Sequence, residues 1–143
     1  MNDLKSNPNI KQGVPFFMVV NMDNSLNFYI KGLDFELKNH WQPGGTIEWC
    51  WLQLGNASIM LQEYRTNAPT ENLGEGVSVY FICEDALTIY KQISLRGVSA
   101  SEPFVGNNMW VVGLKDPDGY KIFFESPTDV PEETKYSEWT KTI

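Results

Sequence analysis

One pattern limits the fold more than any other. A strand, a helix and three further strands follow one another, and about 64 residues later the same order begins again. In the first round Val14 to Val20 reads as a buried strand. Asn21 to Ser25 then offers a turn with several N-cap candidates. Leu26, Tyr29 and Ile30 continue at helical spacing, and Gly32 stops the helix. Leu33 to Asn39 reads as a strand and His40 to Gly45 as a loop, by its Pro and Gly pair. Thr46 to Leu54 and Ala57 to Tyr64 form a hairpin about Gly55-Asn56. The polar segment 65–75 links this round to the next. Val77 to Cys83 is the next strand, and Ala86, Ile89, Tyr90 and Ile93 mark one helix face. Gly97 ends that helix in the role of Gly32, and Val98 to Val105 is a strand. Met109 to Lys115 and Tyr120 to Glu125 form a hairpin about Asp116-Pro117-Asp118-Gly119. The pattern predicts an α+β chain, 1–143 as one domain, with βαβββ modules at 14–64 and 76–126. The tail 127–143 is expected to be irregular or packed on the surface. Two such modules side by side would give curved mixed sheets with helices on their outer faces and a cavity between their inner faces.

Composition narrows the partners. The formal net charge is −7 and the pI about 4.6, with no basic run, so nucleic acid is not an expected partner. The same charge tolerates a cationic or neutral ligand better than an anionic one. The longest apolar stretch, Val14 to Val20, is too short to span a bilayer. The polar stretch Met1 to Gly13 has no apolar core of the kind a signal peptide needs. Cys50 and Cys83 both fall in apolar strands outside any C-x-x-C spacing, which predicts buried, reduced thiols and a cytoplasmic location.

Several segments resemble the glyoxalase/bleomycin resistance protein/dioxygenase (vicinal oxygen chelate) superfamily, in particular its bleomycin-resistance-like branch. Ser25-Leu26-Asn27-Phe28-Tyr29 matches its S-L-x-F-Y signature, and Gly32-Leu33 resembles the L-G-F that follows. Gly55 to Glu63, GNASIMLQE, is similar to the G-x-x-L-M-L-Q-E pattern. Asp116 to Gly119, DPDG, followed by an apolar strand, is the most specific piece. The resemblance covers residues 14 to about 130 and implies a bacterial origin and a homodimer. Its metal-ligand positions fall on Val14 or Pro15, near Met60, on Ser78 or Val77, and on Phe123, none of them His or carboxylate. A catalytic divalent ion needs three or more converging ligands. The one histidine, His40, stands in the predicted loop, and Glu63 and Glu125 end strands. No metal and no cofactor are expected.

Strand alternation then assigns faces. Val79, Phe81 and Cys83 suit a core, as do Cys50, Leu52, Ile59, Leu61, Ile122 and Phe124. The opposite faces carry Phe16, Met18, Trp49, Trp51, Met60, Gln62, Ser78, Tyr80, Phe123 and Glu125 as a predicted ligand-binding set: mostly aromatic, with a few polar points. The rival to a pocket is a filled interface in which these rings simply pack. Ser78 with Glu125 lacks the histidine of a nucleophilic relay, so no catalytic residue is assigned. Trp110 can face either way. The function expected is metal-independent, sequestration-type binding of an aromatic, optionally cationic small molecule. The alternatives are a metal-dependent glyoxalase-type lyase or dioxygenase, and a dimeric scaffold without a small ligand.

Overall fold

The structure is a computed structural model and describes residues 8–142; residues 1–7, part of the N-terminal stretch in which no signal peptide is expected, lie outside it. The first module contains β1 (Phe16–Val19) and helix α1, which is α-helical over Met22–Leu26 and π-helical over Asn27–Gly32. It continues with β2 (Glu36–Trp41), β3 (Trp49–Leu54) and β4 (Ala57–Glu63). The second contains β5 (Ser78–Ile82), α2 (Ala86–Leu95), β6 (Phe104–Gly106), β7 (Met109–Lys115) and β8 (Lys121–Pro127). A short helix α3 (Tyr136–Thr140) follows. Each module folds into one four-stranded mixed sheet, ordered β1-β4-β3-β2 and β5-β8-β7-β6, here called sheets A and B. The outer pairs β1–β4 and β5–β8 are parallel, because in each case a helical crossover separates the first strand from the hairpin it joins. This is the α+β fold expected from the repeat, with the two sheets not closed on one another.

Helices α1 and α2 each begin on a side-chain cap. Asn21 accepts the amide of Asn24 at 3.0 Å, and Asp85 accepts the amide of Thr88 at 3.1 Å. A second anchor ties each helix start to its sheet: Glu63 accepts the Met22 amide at 2.6 Å, and the Ser126 hydroxyl accepts that of Ala86 at 2.8 Å. The helix ends differ, which corrects the equivalence of Gly32 and Gly97. Gly97 takes a left-handed φ of 84° and ends α2 as expected. Gly32 does not turn the chain; Asp34 does, at φ 72°. Gly32 is instead a point of close approach, where a Cβ would stand 2.9 Å from Val98. There the Gly32 carbonyl accepts Arg96 at 3.2 Å, so the two helix ends meet.

Two strands depart from the sequence reading. His40 and Trp41 belong to β2, opposite Cys50 and Trp49, rather than to a loop. The Pro43–Gly45 turn begins only after them. The strand expected over Val98 to Val105 is only the three residues Phe104–Gly106. Pro103 has no N–H to donate to a ladder, and the segment before it runs beside β7 without strand geometry, held by the Ser101 amide on the Gly113 carbonyl.

Strand parity matches burial on most strands, while Val79, Phe81 and Cys83 on the edge strand β5 are only half-buried against the core. Phe17, Val19, Cys50, Leu52, Ile59, Leu61, Ile122 and Phe124 are all buried on the helix side of their sheets. Burying each of the larger ones stabilises the fold by about 1.5–3 kcal/mol. The modules share this core. Phe35 meets Phe81 edge-on at 5.8 Å, and Phe17 stacks on Tyr120 at 4.0 Å with 2° between planes. Trp110 also turns to the helix side, where the tail closes on it: Trp139 and Tyr136 lie at 5.4 and 6.4 Å.

Candidate functional site

The DPDG turn, the most specific part of the family resemblance, is where the second module enters the first. Asp116 is buried and accepts three hydrogen bonds: from the Tyr29 hydroxyl at 2.7 Å and from the amides of Asp118 and Tyr120, each at 2.9 Å. Asp118 accepts the Val20 amide at 3.1 Å, just before α1, and the Tyr120 hydroxyl donates to the Met18 carbonyl at 2.9 Å. Burial pushes both Asp116 and Asp118 above the usual carboxylate range, with the hydrogen bonds opposing. Burial, followed by the charge of Asp116, pushes the Tyr29 phenol far above its ordinary value. These groups are enclosed and mutually satisfied. They fasten the modules and offer nothing to a substrate.

The faces turned away from the helices are different. On sheet A the register sets Phe16, Met60 and Trp51 side by side in one row, and Met18, Gln62, Trp49 and Trp41 in the next. Phe16 is 48% exposed and Trp41 50%, while the side chains between them are half-buried. The Arg65 guanidinium lies 5.4 Å from the Trp41 ring centre and pairs with Glu48 at 2.9 Å. Gln12 donates to the Ser58 hydroxyl at 2.8 Å, drawing the N-terminal segment across one end of this face.

On sheet B the Tyr80 and Phe123 rings stack at 4.6 Å, and one edge of the Phe123 ring fills the space beside Gly113, where a Cβ would come within 2.8 Å of it. Ser78 is exposed at the start of the same face and Glu125 half-buried beyond Phe123. A trough of about 560 Å³ opens here between Phe123, Phe104, the segment 99–102 and the pair Lys115 and Lys121. A larger groove of about 860 Å³ runs along the free edge of β5, against the β3–β4 hairpin, and takes in Tyr80.

The predicted set is thus brought together in two halves. Phe16, Met18, Trp49, Trp51, Met60 and Gln62 form one continuous face on sheet A. Ser78, Tyr80, Phe123 and Glu125 form another on sheet B. Neither the trough nor the groove reaches the sheet A set. Sequence reasoning missed Trp41, Arg65, Gly113, Lys115 and Lys121. The lysines carried a signal: they flank the DPDG loop, so a hairpin about it must set them opposite each other.

Among the described residues no three His, Cys, Asp or Glu side chains converge. The positions where the resemblance puts metal ligands hold a thioether at Met60, a phenyl ring at Phe123 and an exposed hydroxyl at Ser78. That donor set does not fit a divalent cation. Glu63 is engaged at the start of α1, and His40 stands on an exposed edge strand. No catalytic step is derived through a metal. Cys50 is buried and Cys83 half-buried, both as free thiols. No helix among the described residues is long and apolar enough to cross a membrane.

Two βαβββ modules, fastened through a DPDG turn and each with one open aromatic face, define a class of small two-module α+β proteins. The chain belongs to the Glyoxalase/Bleomycin resistance protein/Dioxygenase superfamily, whose family model matches residues 12–124. No curated protein matches it in sequence. Among solved structures it is similar to TioX from Micromonospora sp. ML1, at 15% identity and a TM-score of 0.67, covering 82% of this chain and 99% of that one. It is also similar to a glyoxalase/bleomycin resistance protein/dioxygenase from Nocardioides, at 14% identity and a TM-score of 0.64, covering 90% and 93% of the two chains. An integron cassette protein from the Halifax Harbour sewage outfall metagenome is 22% identical, with a TM-score of 0.63, covering 82% and 99%. At these identities the likeness is one of fold.

Proposed function

We propose that this protein binds a planar aromatic small molecule without a metal, in the manner of a sequestering protein of the bleomycin-resistance-like branch. The observation that carries the reading is the continuous row structure of sheet A. Trp49, Trp51, Phe16 and Met60 stand in register on a face no helix covers, where they give area for stacking. Trp41 already holds the Arg65 guanidinium over its ring, which supports a cationic ligand on this face. The metal-dependent lyase or dioxygenase reading has no matching donor set.

Titrating the protein with aminoacridine, a planar aromatic cation, is expected to quench tryptophan emission with saturation. The Trp49→Phe/Trp51→Phe variant is expected to lose the saturable part. Absence of saturable quenching in the parent protein would overturn the reading. The supports for a homodimer are Phe16, Tyr80 and Ile82, which are 48%, 52% and 63% exposed, because a second copy laid over either face would cover them. A single monomeric species in sedimentation velocity at micromolar concentrations would refute that part. The free thiols support a cytoplasmic location.

A further inference from the structure

The trough on sheet B carries a charge that the overall composition hides. It is lined by the Phe123 ring, whose edge meets Gly113, and by Phe104 on β6. At one end Lys115 and Lys121 are directly opposite each other in the β7–β8 ladder, and both are exposed. Like charges so placed repel and destabilise a sheet. Among the described residues the ion pairs are Lys38 with Glu36 and Arg65 with Glu48, so neither lysine of the trough has a carboxylate partner. The one carboxylate lining the trough, Glu102, is turned to the Ser137 amide at 2.8 Å. Two ammonium groups without an ion-pair partner therefore stand beside an aromatic ring in a space of about 560 Å³, against the single carboxylate of Glu102.

We propose that this trough binds a planar aromatic anion, with its carboxylate or sulfonate held between Lys115 and Lys121 and its ring on Phe123 against Phe104. The inference rests on the reading that the helix-free faces take small aromatic molecules, and it names the charge of the one that sheet B takes. That charge is opposite to the one the net charge of −7 favours. A bound anion responds to the nearest charges, because screening removes the remainder beyond about 8–10 Å at physiological salt.

The test uses the full chain and two probes of like shape: anilinonaphthalene sulfonate, an aromatic anion, and phenylnaphthylamine, its uncharged counterpart. The anion is expected to bind more tightly than the uncharged probe and to weaken as salt is added. The Lys115→Gln/Lys121→Gln variant is expected to bind the anion about tenfold less tightly, roughly 1.4 kcal/mol, with the uncharged probe unchanged. The Lys115→Arg/Lys121→Arg variant should retain the parent affinity, and matching far-UV circular dichroism shows that all three fold alike. Equal binding of the two probes, or undiminished anion binding by the glutamine variant, would overturn the proposal. If neither probe binds while aminoacridine still quenches tryptophan, the trough alone fails. If aminoacridine quenching is also absent, the reading beneath it fails too.

Discussion

Replacing Tyr29 with Phe isolates one bond at the junction of the modules. Tyr29 is fully buried, and its hydroxyl donates to the Asp116 carboxylate at 2.7 Å. The substitution removes one oxygen, leaves the ring stacked edge-on against Phe28 and Phe35, and creates no void large enough to collapse. Asp116 keeps its two backbone donors on the other oxygen. The loss is therefore that of a hydrogen bond to a charged acceptor, about 1.5–3 kcal/mol. At about 2–4 °C per kcal/mol for a chain near this size, Tm should fall by about 4–8 °C if the loss is near 2 kcal/mol. The pH dependence follows from Asp116. Burial holds its folded pKa above the unfolded value, and the Tyr29 bond pulls against that. The proton is thus held more tightly in the folded state, so this group's stabilising contribution is complete below the unfolded pKa and is lost as pH rises through the folded one. Removing the hydroxyl raises the folded pKa further. The variant's deficit should accordingly be largest near neutral pH and shrink as the pH falls below the folded pKa. Urea denaturation at both ends of that range, read by circular dichroism, measures it. A deficit below about 0.5 kcal/mol at neutral pH, or one that does not change with pH, would refute the view that an ionised Asp116 fastens the modules.

Three other perturbations probe separate parts of the molecule. Gly74→Ala places a Cβ 2.4 Å from the Tyr120 amide nitrogen at a φ of +65°, so it should cost about 2 kcal/mol or more in urea denaturation; a neutral result would mean that the linker does not pack on the DPDG turn. Asn21→Ala and Asp85→Ala each remove a helix cap and should each cost about 1 kcal/mol by the same assay, with their sum in the double variant, because the caps sit on different helices. Burial pushes the Cys50 thiol up to about 11 and raises that of Cys83 as well, so native protein near neutral pH should react slowly with a maleimide, at Cys83 before Cys50 by peptide mass. Modification of Cys50 first would contradict its burial.

What was legible in the sequence was what neighbouring residues decide. The repeat and both hairpins follow from period-two patterning bounded by turn residues, and the face of each long strand follows from its parity. What was not legible depends on contacts far apart in the chain. Trp41 was read as loop because Pro43-Gly44-Gly45 follows it, yet pairing with Trp49 carries the strand two residues further. Gly32 looked like a second Gly97, and its purpose becomes visible only when Val98 packs against it. Lys115 and Lys121 were within reach, because the loop between them fixes their pairing. The trough they close was not, because it needs the irregular segment 99–102 to run beside β7 at Gly113.

The same distinction explains why the predicted set is continuous within each sheet and divided between them. Parity decides which side of a strand a residue takes, and the ladder carries that choice across the sheet. The mutual placement of the sheets is decided elsewhere, by Phe17 on Tyr120, Tyr29 on Asp116 and the Val20 amide on Asp118. All of these fasten helix-side or end-of-strand groups, so none brings the two helix-free faces toward each other. The motif most specific to the family thus supplies a joint, and by making the joint on the helix side it leaves Trp51 and Phe123 on open faces. A protein whose ligand contacts lie on such faces can change them without disturbing the joint. Trp49→Phe/Trp51→Phe should therefore lower aminoacridine binding while shifting the urea midpoint far less than Tyr29→Phe does. Comparable losses of stability in the two variants would show that the sheet A face is structural core and would remove the basis for reading it as a binding surface.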